Sequence, residues 1–84
     1  MKDYITKEDI AEIEKKCIEE VWEPFAGITI VAWNLPNGFT ISTESGCVNP
    51  NNYDRQIGVD ICREHLRNKL WELYGFKLKC ELEG

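Results

Sequence analysis

Apolar residues in the first quarter of the chain recur at every third or fourth position, with charged residues between them. This spacing is the period of an amphipathic α-helix. Thr6 and Asp9 occupy the two positions of a capping box, and Pro24 disfavours helical geometry in the residue before it. The pattern predicts a first helix over residues 6–23, with its acidic residues, including Glu19, on the solvent-facing side.

The next segment, residues 27–45, predicts a β-hairpin. Its first part is rich in β-branched and aromatic side chains, which favour strands. Asn37-Gly38 follows, and both residues accept the positive φ angles of a tight hairpin turn. From Phe39 onward apolar and polar residues alternate, so Phe39 and Ile41 are expected together on the apolar face of the second strand.

A second helix is predicted over residues 53–74. Asn52 or Asp54 can cap its first turn, and Gly75 is expected to end it. Its expected buried stripe consists of Ile57, Ile61, Leu66, Leu70 and Leu73, flanked by Cys62 and Trp71. Residues 76–82 alternate strictly between apolar and polar positions, which predicts a third strand.

These elements predict an α+β fold, a small antiparallel three-stranded sheet with two helices, in the order α-β-β-α-β. Residues 1–84 are few enough to form a single domain. Three Trp, three Tyr and three Phe would be costly to leave exposed in so short a chain. We therefore expect a homo-oligomer, either a dimer or a larger assembly such as a hexamer.

The net charge of −5 is concentrated near the N-terminus. Residues 2–23 contain four Lys and eight acidic residues, whereas residues 54–74 contain equal numbers of basic and acidic residues. An acidic chain is a poor match for the phosphate backbone of DNA or RNA, so we expect neither as a partner. A local pair of arginines on such a chain can still bind one compact anion.

The sequence contains no signal for a membrane, a leader or a metal. No apolar run approaches the roughly 18 residues of a membrane span, and no charged and apolar leader opens the chain. The cysteines at positions 17, 47, 62 and 80 form no C-x-x-C pair, and the single histidine adds little to a metal site. We therefore expect a soluble cytoplasmic protein with no membrane partner, no metal, no cofactor and no disulfide framework.

A dense polar loop, residues 43–54, lies between the hairpin and the second helix. It contains more Ser, Asn and Asp side chains than a simple turn requires. Its asparagines offer both donors and acceptors, and the start of the following helix favours anions. The loop therefore indicates recognition of a small polar or anionic ligand.

Short motifs in the chain resemble one known family. They occur in the family's order between residues 29 and 82, as Asn37-Gly38-Phe39, Glu44-Ser45-x-Cys47-Val48-x-Pro50-x-Asn52-Tyr53, Ile57-Gly58, Asn68-Lys69-Leu70-Trp71 and Gly75-Phe76-x-Leu78. The family is that of small phage proteins named after members in phages N4 and Sf6, and it includes the Thoeris anti-defence sponges, which sequester cyclic ADP-ribose-type signals. The acidic first helix lies largely outside this resemblance.

The resemblance implies a phage anti-defence protein in the cytoplasm of the infected bacterial host. Such a protein binds and sequesters a cyclic nucleotide immune signal, either a cyclic ADP-ribose isomer or a cyclic dinucleotide, without cleaving it. The ligand needs a flat apolar surface for its base, polar groups for its edges and ribose, and cations for its phosphates. The residues expected to supply these groups are Phe39, Asn49, Asn52, Tyr53, Arg63, His65 and Arg67.

The loop and strand candidates would contact the base and the ribose. Phe39 or Tyr53 can stack on a base, and Asn49 and Asn52 can hydrogen-bond its edge or a ribose. Each also has a structural alternative: Phe39 or Tyr53 as a core residue, Asn52 as a helix cap, and Asn49 as a turn former.

The helix candidates would contact the phosphates. Arg63 and Arg67 are spaced i, i+4, so both emerge on one side of the helix and can fork around a pyrophosphate, with His65 nearby. Alternatively, both arginines form ion pairs with Asp60, Glu64 or acidic residues of another subunit.

Two other functions remain open from the sequence. The acidic first helix can serve as a decoy surface in a protein-binding inhibitor of a host defence protein. A small enzyme would need His65 to act as a base for Cys47 or Cys62, within hydrogen-bond reach.

If the two arginines bind the phosphates, Arg63→Ala and Arg67→Ala should each weaken ligand binding by about tenfold or more while preserving the fold. Titration calorimetry with cyclic nucleotides measures this change. Normal binding by the single variants and by the double variant would exclude the site on this side of the helix.

Overall fold

The computed structural model describes residues 3–83 as two helices and a three-stranded antiparallel sheet, which confirms the predicted α+β class. In chain order the elements are α1 (Lys7–Lys16), β1 (Ile18–Trp22), β2 (Ile28–Asn34), β3 (Thr40–Gly46), a short 3-10 helix (Pro50–Asn52) and α2 (Arg55–Glu83). The order is therefore α-β-β-β-α, and the predicted order α-β-β-α-β is wrong.

α1 begins where the sequence predicts and ends earlier. The Thr6 hydroxyl accepts a hydrogen bond from the Asp9 N–H (3.1 Å), and the Asp9 carboxylate accepts one from the Thr6 N–H (2.9 Å), so the capping box is confirmed. The helix ends at Lys16, and Cys17 is extended. The predicted continuation to residue 23 is wrong because β1 forms an antiparallel ladder of backbone hydrogen bonds with β2 instead.

The predicted third strand over residues 76–82 is also wrong, because α2 continues through Gly75 to Glu83. The Lys, Leu and Glu residues of this segment have high helix propensity, and two Lys–Glu pairs in it are spaced i, i+4. One glycine inside a helix costs only about 1 kcal/mol relative to alanine, so Gly75 does not end it. Among the described residues, no helix has an apolar stretch long enough to cross a membrane.

The sheet has the strand order β1-β2-β3. The hairpin between β2 and β3 is confirmed: Gly38 has a φ of +90°, and its N–H donates to the Leu35 carbonyl at 2.9 Å. Ile41 lies on the buried face of β3 as expected. Phe39 precedes β3 and is 55 % exposed, so its expected place on the apolar strand face is wrong.

The core lies between one face of the sheet and α2, with Ile10 of α1 at its edge. The buried residues of the two main layers are Thr29, Val31, Trp33 and Ile41 from the sheet and Val59, Cys62, Leu66 and Leu70 from α2. Leu66 and Leu70 therefore confirm part of the predicted helix stripe. Ile57, Ile61 and Leu73 are exposed, and their predicted burial is wrong.

α2 turns Gly58, rather than Ile57, toward the sheet. A Cβ at position 58 would lie 2.5 Å from the Thr29 hydroxyl oxygen, so only glycine permits this approach. Residues that share one face of a helix follow at intervals of three and four. The contact therefore brings Cys62 against the sheet and leaves Ile57 and Ile61 on the outside.

Gly58→Ala is expected to destabilise the fold by about 1–3 kcal/mol, because the added methyl group overlaps the Thr29 side chain. Gly75→Ala is the matched control: its Cβ would meet nothing within 4 Å. That change should be neutral or stabilising by up to about 1 kcal/mol. Urea unfolding at one fixed protein concentration measures both variants, and equal stability of the two would contradict the close approach at Gly58.

Candidate functional site

The sequence-predicted ligand residues lie at opposite ends of the sheet and on α2 between them. Phe39 lies in the hairpin turn, beside Tyr74 of α2, whereas the predicted loop residues 49–53 lie just before α2 begins. An α-helix rises by about 1.5 Å per residue, so Arg55 and Tyr74, which mark the two ends, are about 28 Å apart. One compact nucleotide cannot contact both groups within a single copy of the chain.

The polar groups of the loop mainly hold the loop itself. Asn49 Oδ1 accepts a hydrogen bond from the Asn51 N–H at 3.0 Å, and Asn52 is an exposed residue of the 3-10 helix. Asp54, rather than Asn52, caps α2, because its Oδ1 accepts from the Gln56 N–H at 2.9 Å. A phosphate at this helix N-terminus would have to displace a carboxylate.

Tyr53 belongs to a hydrogen-bonded corner that joins the loop to the sheet. Its hydroxyl contacts the Thr29 hydroxyl and donates to Glu23 Oε2 at 2.8 Å. Arg55 Nε donates to the other carboxylate oxygen of Glu23 at 2.7 Å. These contacts give Tyr53 a role in fixing the loop against β2.

Arg63 and Arg67 both form bidentate ion pairs with the acidic N-terminal segment. Arg63 donates to the two carboxylate oxygens of Glu19 at 2.9 and 2.7 Å. Arg67 donates to those of Glu14 at 2.7 and 3.1 Å. The expected solvent-facing position of Glu19 is wrong, because β1 directs it toward α2. A phosphate that bound to either arginine would compete with a carboxylate of the same chain.

The Glu19 carboxylate also accepts a hydrogen bond from Trp33 Nε1 at 3.0 Å. Hydrogen bonding to Arg63 lowers the pKa of Glu19 below its ordinary value, and the bond from Trp33 acts in the same direction. The same contact raises the pKa of Arg63. The pair therefore stays charged, and it fastens β1 to α2.

The remaining titratable candidates are His65, Cys47 and Cys62, the groups from which an enzyme would draw a nucleophile and its base. The Cys62 thiol is buried and lies 3.6 Å from the Thr29 carbonyl oxygen, and its burial raises its pKa. His65 is an exposed residue of α2, and the Cys47 thiol donates to the Asn49 carbonyl at 3.1 Å. This geometry does not support Cys62 as an activated nucleophile.

A groove with several features of a ligand site lies where the hairpin turn meets α2. We call it the Phe39 groove; its volume is about 340 Å³, and its lining residues are Leu35, Pro36, Asn37, Phe39, Leu73, Tyr74 and Lys77. Lys77 Nζ lies 5.7 Å from the centre of the Tyr74 ring. The Asn37 side-chain oxygen accepts from the Phe39 N–H at 3.0 Å. The groove therefore brings aromatic surface, an amide and a cation together.

Another groove, of about 460 Å³, lies on the open face of the sheet between Trp22 and Asn34. Its lining includes the acidic Glu20 and, among the described residues, no Lys or Arg. Because an anionic ligand gains nothing from such a surface, the Phe39 groove is the better candidate for a nucleotide.

Sequence reasoning identified Phe39 but missed Tyr74 and Lys77. The assignment of residues 76–82 to a strand separated Lys77 from the helix that carries Tyr74. Their i, i+3 spacing was the available signal, because it places a cation beside an aromatic ring once both residues are helical.

The Glu19–Arg63 contact should make stability depend on pH. A carboxyl with a lowered pKa contributes stability above its ordinary value of 4.5, and this stability is lost as the pH falls through the folded-state pKa. Glu19→Gln should therefore cost about 1–2 kcal/mol near pH 7, and this cost should shrink as the medium becomes acidic. Urea unfolding at several pH values measures this cost. The control is Glu12→Gln, which removes an exposed ion pair with Lys15. A cost that stays constant with pH would contradict the assigned role of Glu19.

Comparison with known proteins identifies the family. The model of the Phage protein (N4 Gp49/phage Sf6 gene 66) family matches residues 2–82, so the match includes the acidic N-terminal helix, which was expected to lie largely outside it. No curated protein and no solved structure matches the chain significantly. Because the family match covers almost the whole chain, this protein belongs to the N4 Gp49/Sf6 gene 66 family of phage proteins.

Proposed function

We propose that this phage protein binds and sequesters a cyclic nucleotide signal of a host immune pathway without cleaving it. The ligand class is a cyclic ADP-ribose isomer, with cyclic dinucleotides as the neighbouring class, as in the Thoeris anti-defence sponges. The protein would act in the cytoplasm of the infected host. The binding site is the Phe39 groove, rather than the side of α2 that carries Arg63 and Arg67.

The observation that carries this proposal is the joint position of Phe39, Tyr74 and Lys77 in one groove. An exposed aromatic ring can stack on a base, which contributes about 1–3 kcal/mol per base. The Lys77 ammonium group supplies a positive charge for a phosphate, and the Asn37 amide nitrogen offers donors for a base edge or ribose. The groove volume of about 340 Å³ falls within the range of small-molecule sites, about 300–1,000 Å³.

The ion pairs of the arginines support this choice of site. Arg63 and Arg67 hold the N-terminal segment on α2 through Glu19 and Glu14. Removing either arginine leaves a carboxylate without its partner, so weaker binding by such a variant would combine a structural effect with any direct one. Phe39→Ala leaves no carboxylate unpaired, and the Lys77–Glu81 pair, at 3.7 Å, joins side chains that are 66 % and 53 % exposed, so variants in the Phe39 groove disturb the fold less.

Retention without cleavage suits the lining of the groove. Tyr74 and Lys77 are its titratable residues, and the groove contains no carboxylate, thiol or imidazole among the described residues. The described lining therefore lacks the carboxylate or imidazole that most often serves as the general base of a hydrolase. Incubating the protein with the cyclic nucleotide, denaturing it and analysing the released ligand separates the two activities. Release of intact ligand supports sequestration, and a cleaved product supports an enzyme.

Phe39→Ala should weaken binding of a cyclic ADP-ribose isomer by about tenfold or more, because the stacking surface is lost. Lys77→Gln should weaken it by about five- to tenfold, because the phosphate loses a cation. Titration calorimetry measures both variants against two matched controls outside the groove. Phe25→Ala removes an aromatic ring that is 76 % exposed, and Lys79→Gln removes a lysine that, like Lys77, pairs with a glutamate four residues later.

The two controls should bind within about twofold of the unsubstituted protein. Normal binding by Phe39→Ala and Lys77→Gln would show that the ligand binds elsewhere. Absence of binding by the unsubstituted protein to cyclic ADP-ribose isomers and cyclic dinucleotides alike would overturn sequestration. The protein-binding inhibitor with an acidic first helix would then be the next candidate, ahead of a small enzyme.

A further inference from the structure

The sheet has two edge strands, β1 and β3, which differ in how their outer sides are covered. At β3, the Lys69 ammonium group donates to the Ser42 carbonyl oxygen at 2.6 Å. A lysine beside an edge strand is one way in which proteins prevent a further strand from adding there. At β1, no described residue hydrogen-bonds to the backbone on the side away from β2. β1 is therefore the open edge of the sheet.

The hydrogen bonds at the two ends of the β2–β3 pair show which way the backbone groups of β2 point. The Leu35 N–H donates to the Phe39 carbonyl, and the Cys47 N–H donates to the Gly27 carbonyl, each at 2.8 Å. Hydrogen-bonded and non-bonded pairs alternate along an antiparallel ladder. The odd-numbered residues of β2 therefore bond to β3, and its even-numbered residues bond to β1.

The same alternation identifies the unpaired backbone groups of β1. The even-numbered residues of β1 lie opposite even-numbered residues of β2, so they use their N–H and C=O groups in that ladder. Glu19 and Val21 direct theirs outward. A further strand would hydrogen-bond to these two residues, and its alternate side chains would lie beside Ile18, Glu20 and Trp22 on the open face of the sheet.

The open face beside this edge combines apolar surface with unpaired acidic groups. Ile18 is 67 % exposed and Trp22 is 47 % exposed. Glu20 lies between them, opposite the small Ala32, and all four line the groove of about 460 Å³. Glu44 lies on the same face, and neither it nor Glu20 forms an ion pair with a described residue. A partner for this face must therefore bring apolar groups and positive charge together.

We propose that β1 accepts an extended segment of a partner protein as a fourth strand, and that this segment carries a basic residue between two apolar ones at alternate positions. The basic residue lies opposite Glu20, where an opposite-charge pair stabilises a sheet. The apolar residues cover Ile18 and Trp22. Main-chain hydrogen bonds to an exposed sheet edge, with alternate side chains on a shaped surface, are an established mode of peptide recognition.

The other face of the added strand completes the pattern. Glu19 already pairs with Arg63, so the residue opposite Glu19 needs no charge. Val21 packs against the hydrophobic core, so an apolar residue opposite it extends the core. Antiparallel pairing is slightly more stable per residue than parallel pairing. In that orientation, the segment reads apolar, apolar, basic, polar, apolar from its N-terminal end.

The charges of the edge disfavour other occupants. A second copy of the chain, with β1 paired antiparallel to β1 along its whole length, would place Glu20 opposite Glu20. Like charges directly opposite each other destabilise a sheet, and the net charge of −5 adds a general repulsion between copies. A nucleic acid meets the same acidic surface. A basic segment of a different protein is the occupant that gains from these groups.

A synthetic peptide tests the proposal directly. The probe is Thr-Ile-Val-Arg-Thr-Val-Thr with blocked ends and a fluorescent label, whose central five residues lie opposite Trp22 to Ile18. In fluorescence anisotropy it should bind with a Kd of about 100 μM or tighter. Replacing the peptide arginine by glutamate should weaken binding by about tenfold or more, because the charge opposite Glu20 is reversed.

Methylation of single peptide amides tests strand addition without altering the protein. The first valine of the peptide lies opposite Val21, so N-methylation of this valine removes a ladder hydrogen bond and should weaken binding by about tenfold. The arginine lies opposite Glu20, so its N–H points away from β1. N-methylation of the arginine is the matched control and should change binding by about twofold or less.

Charge reversal in the protein tests the register. Glu20→Lys should reverse the preference, so that the glutamate peptide binds more tightly than the arginine peptide. Glu12→Lys is the control: it changes the net charge equally at an exposed position of α1 and should keep the preference for arginine. Circular dichroism and urea unfolding establish that both variants fold.

The proposal is overturned by no binding of the arginine peptide at about 1 mM, by equal effects of the two methylations, or by an unchanged preference in Glu20→Lys. Competition between the peptide and added unlabelled protein would assign this edge to a second copy and would overturn it too. β1 contributes no residue to the Phe39 groove, so binding of a cyclic nucleotide is a separate measurement.

Discussion

At Gly58, α2 comes so close to β2 that an added Cβ would lie 2.5 Å from the Thr29 hydroxyl oxygen. Apolar residues of the helix also lie outside the core, Ile57 and Ile61 among them, so hydrophobic burial alone does not decide which side faces the sheet. The glycine decides it, because only the side that carries position 58 can approach β2 closely. Cys62, Leu66 and Leu70 become the core, and Ile57 remains outside.

The same rotation of α2 determines its electrostatic contacts. Arg63 and Arg67 point toward β1 and α1, where Glu19 and Glu14 receive them in bidentate pairs. The concentration of acidic residues near the N-terminus is therefore partly neutralised within the chain. The sequence suggested that Arg63 and Arg67 form a free anion-binding pair. In the structure, their ion pairs hold the N-terminal segment against the helix.

Features that depend only on residues close together in the sequence were predictable from it. The capping box at Thr6 and the turn at Gly38 each require only a few adjacent side chains, and both form as expected. The residues of β1 were assigned to a helix because their strand conformation depends on pairing with β2, which no local pattern encodes. Residues 76–82 show the converse error: a short alternation favoured a strand, while helix propensity and i, i+4 ion pairs prevailed.

The candidate site was predictable only in part, for the same physical reason. An exposed phenylalanine such as Phe39 offers an aromatic face on which a base can stack, and this property can be recognised from the sequence. Its partners Tyr74 and Lys77 come from an element whose type was wrongly assigned, so their convergence on the hairpin turn could not be foreseen. The loop asparagines were chosen for their hydrogen-bonding capacity, but part of that capacity is used within the loop.

The Phe39 groove depends on the stability of the C-terminal part of α2. Beyond Leu70 the helix has no fully buried residue among those described, so its last turns receive little support from the core. Tyr74 and Lys77, which form one wall of the Phe39 groove, lie on these turns. Ordering these turns on ligand binding would cost conformational entropy, so the proposed retention of a nucleotide depends on how firmly the rest of α2 holds them.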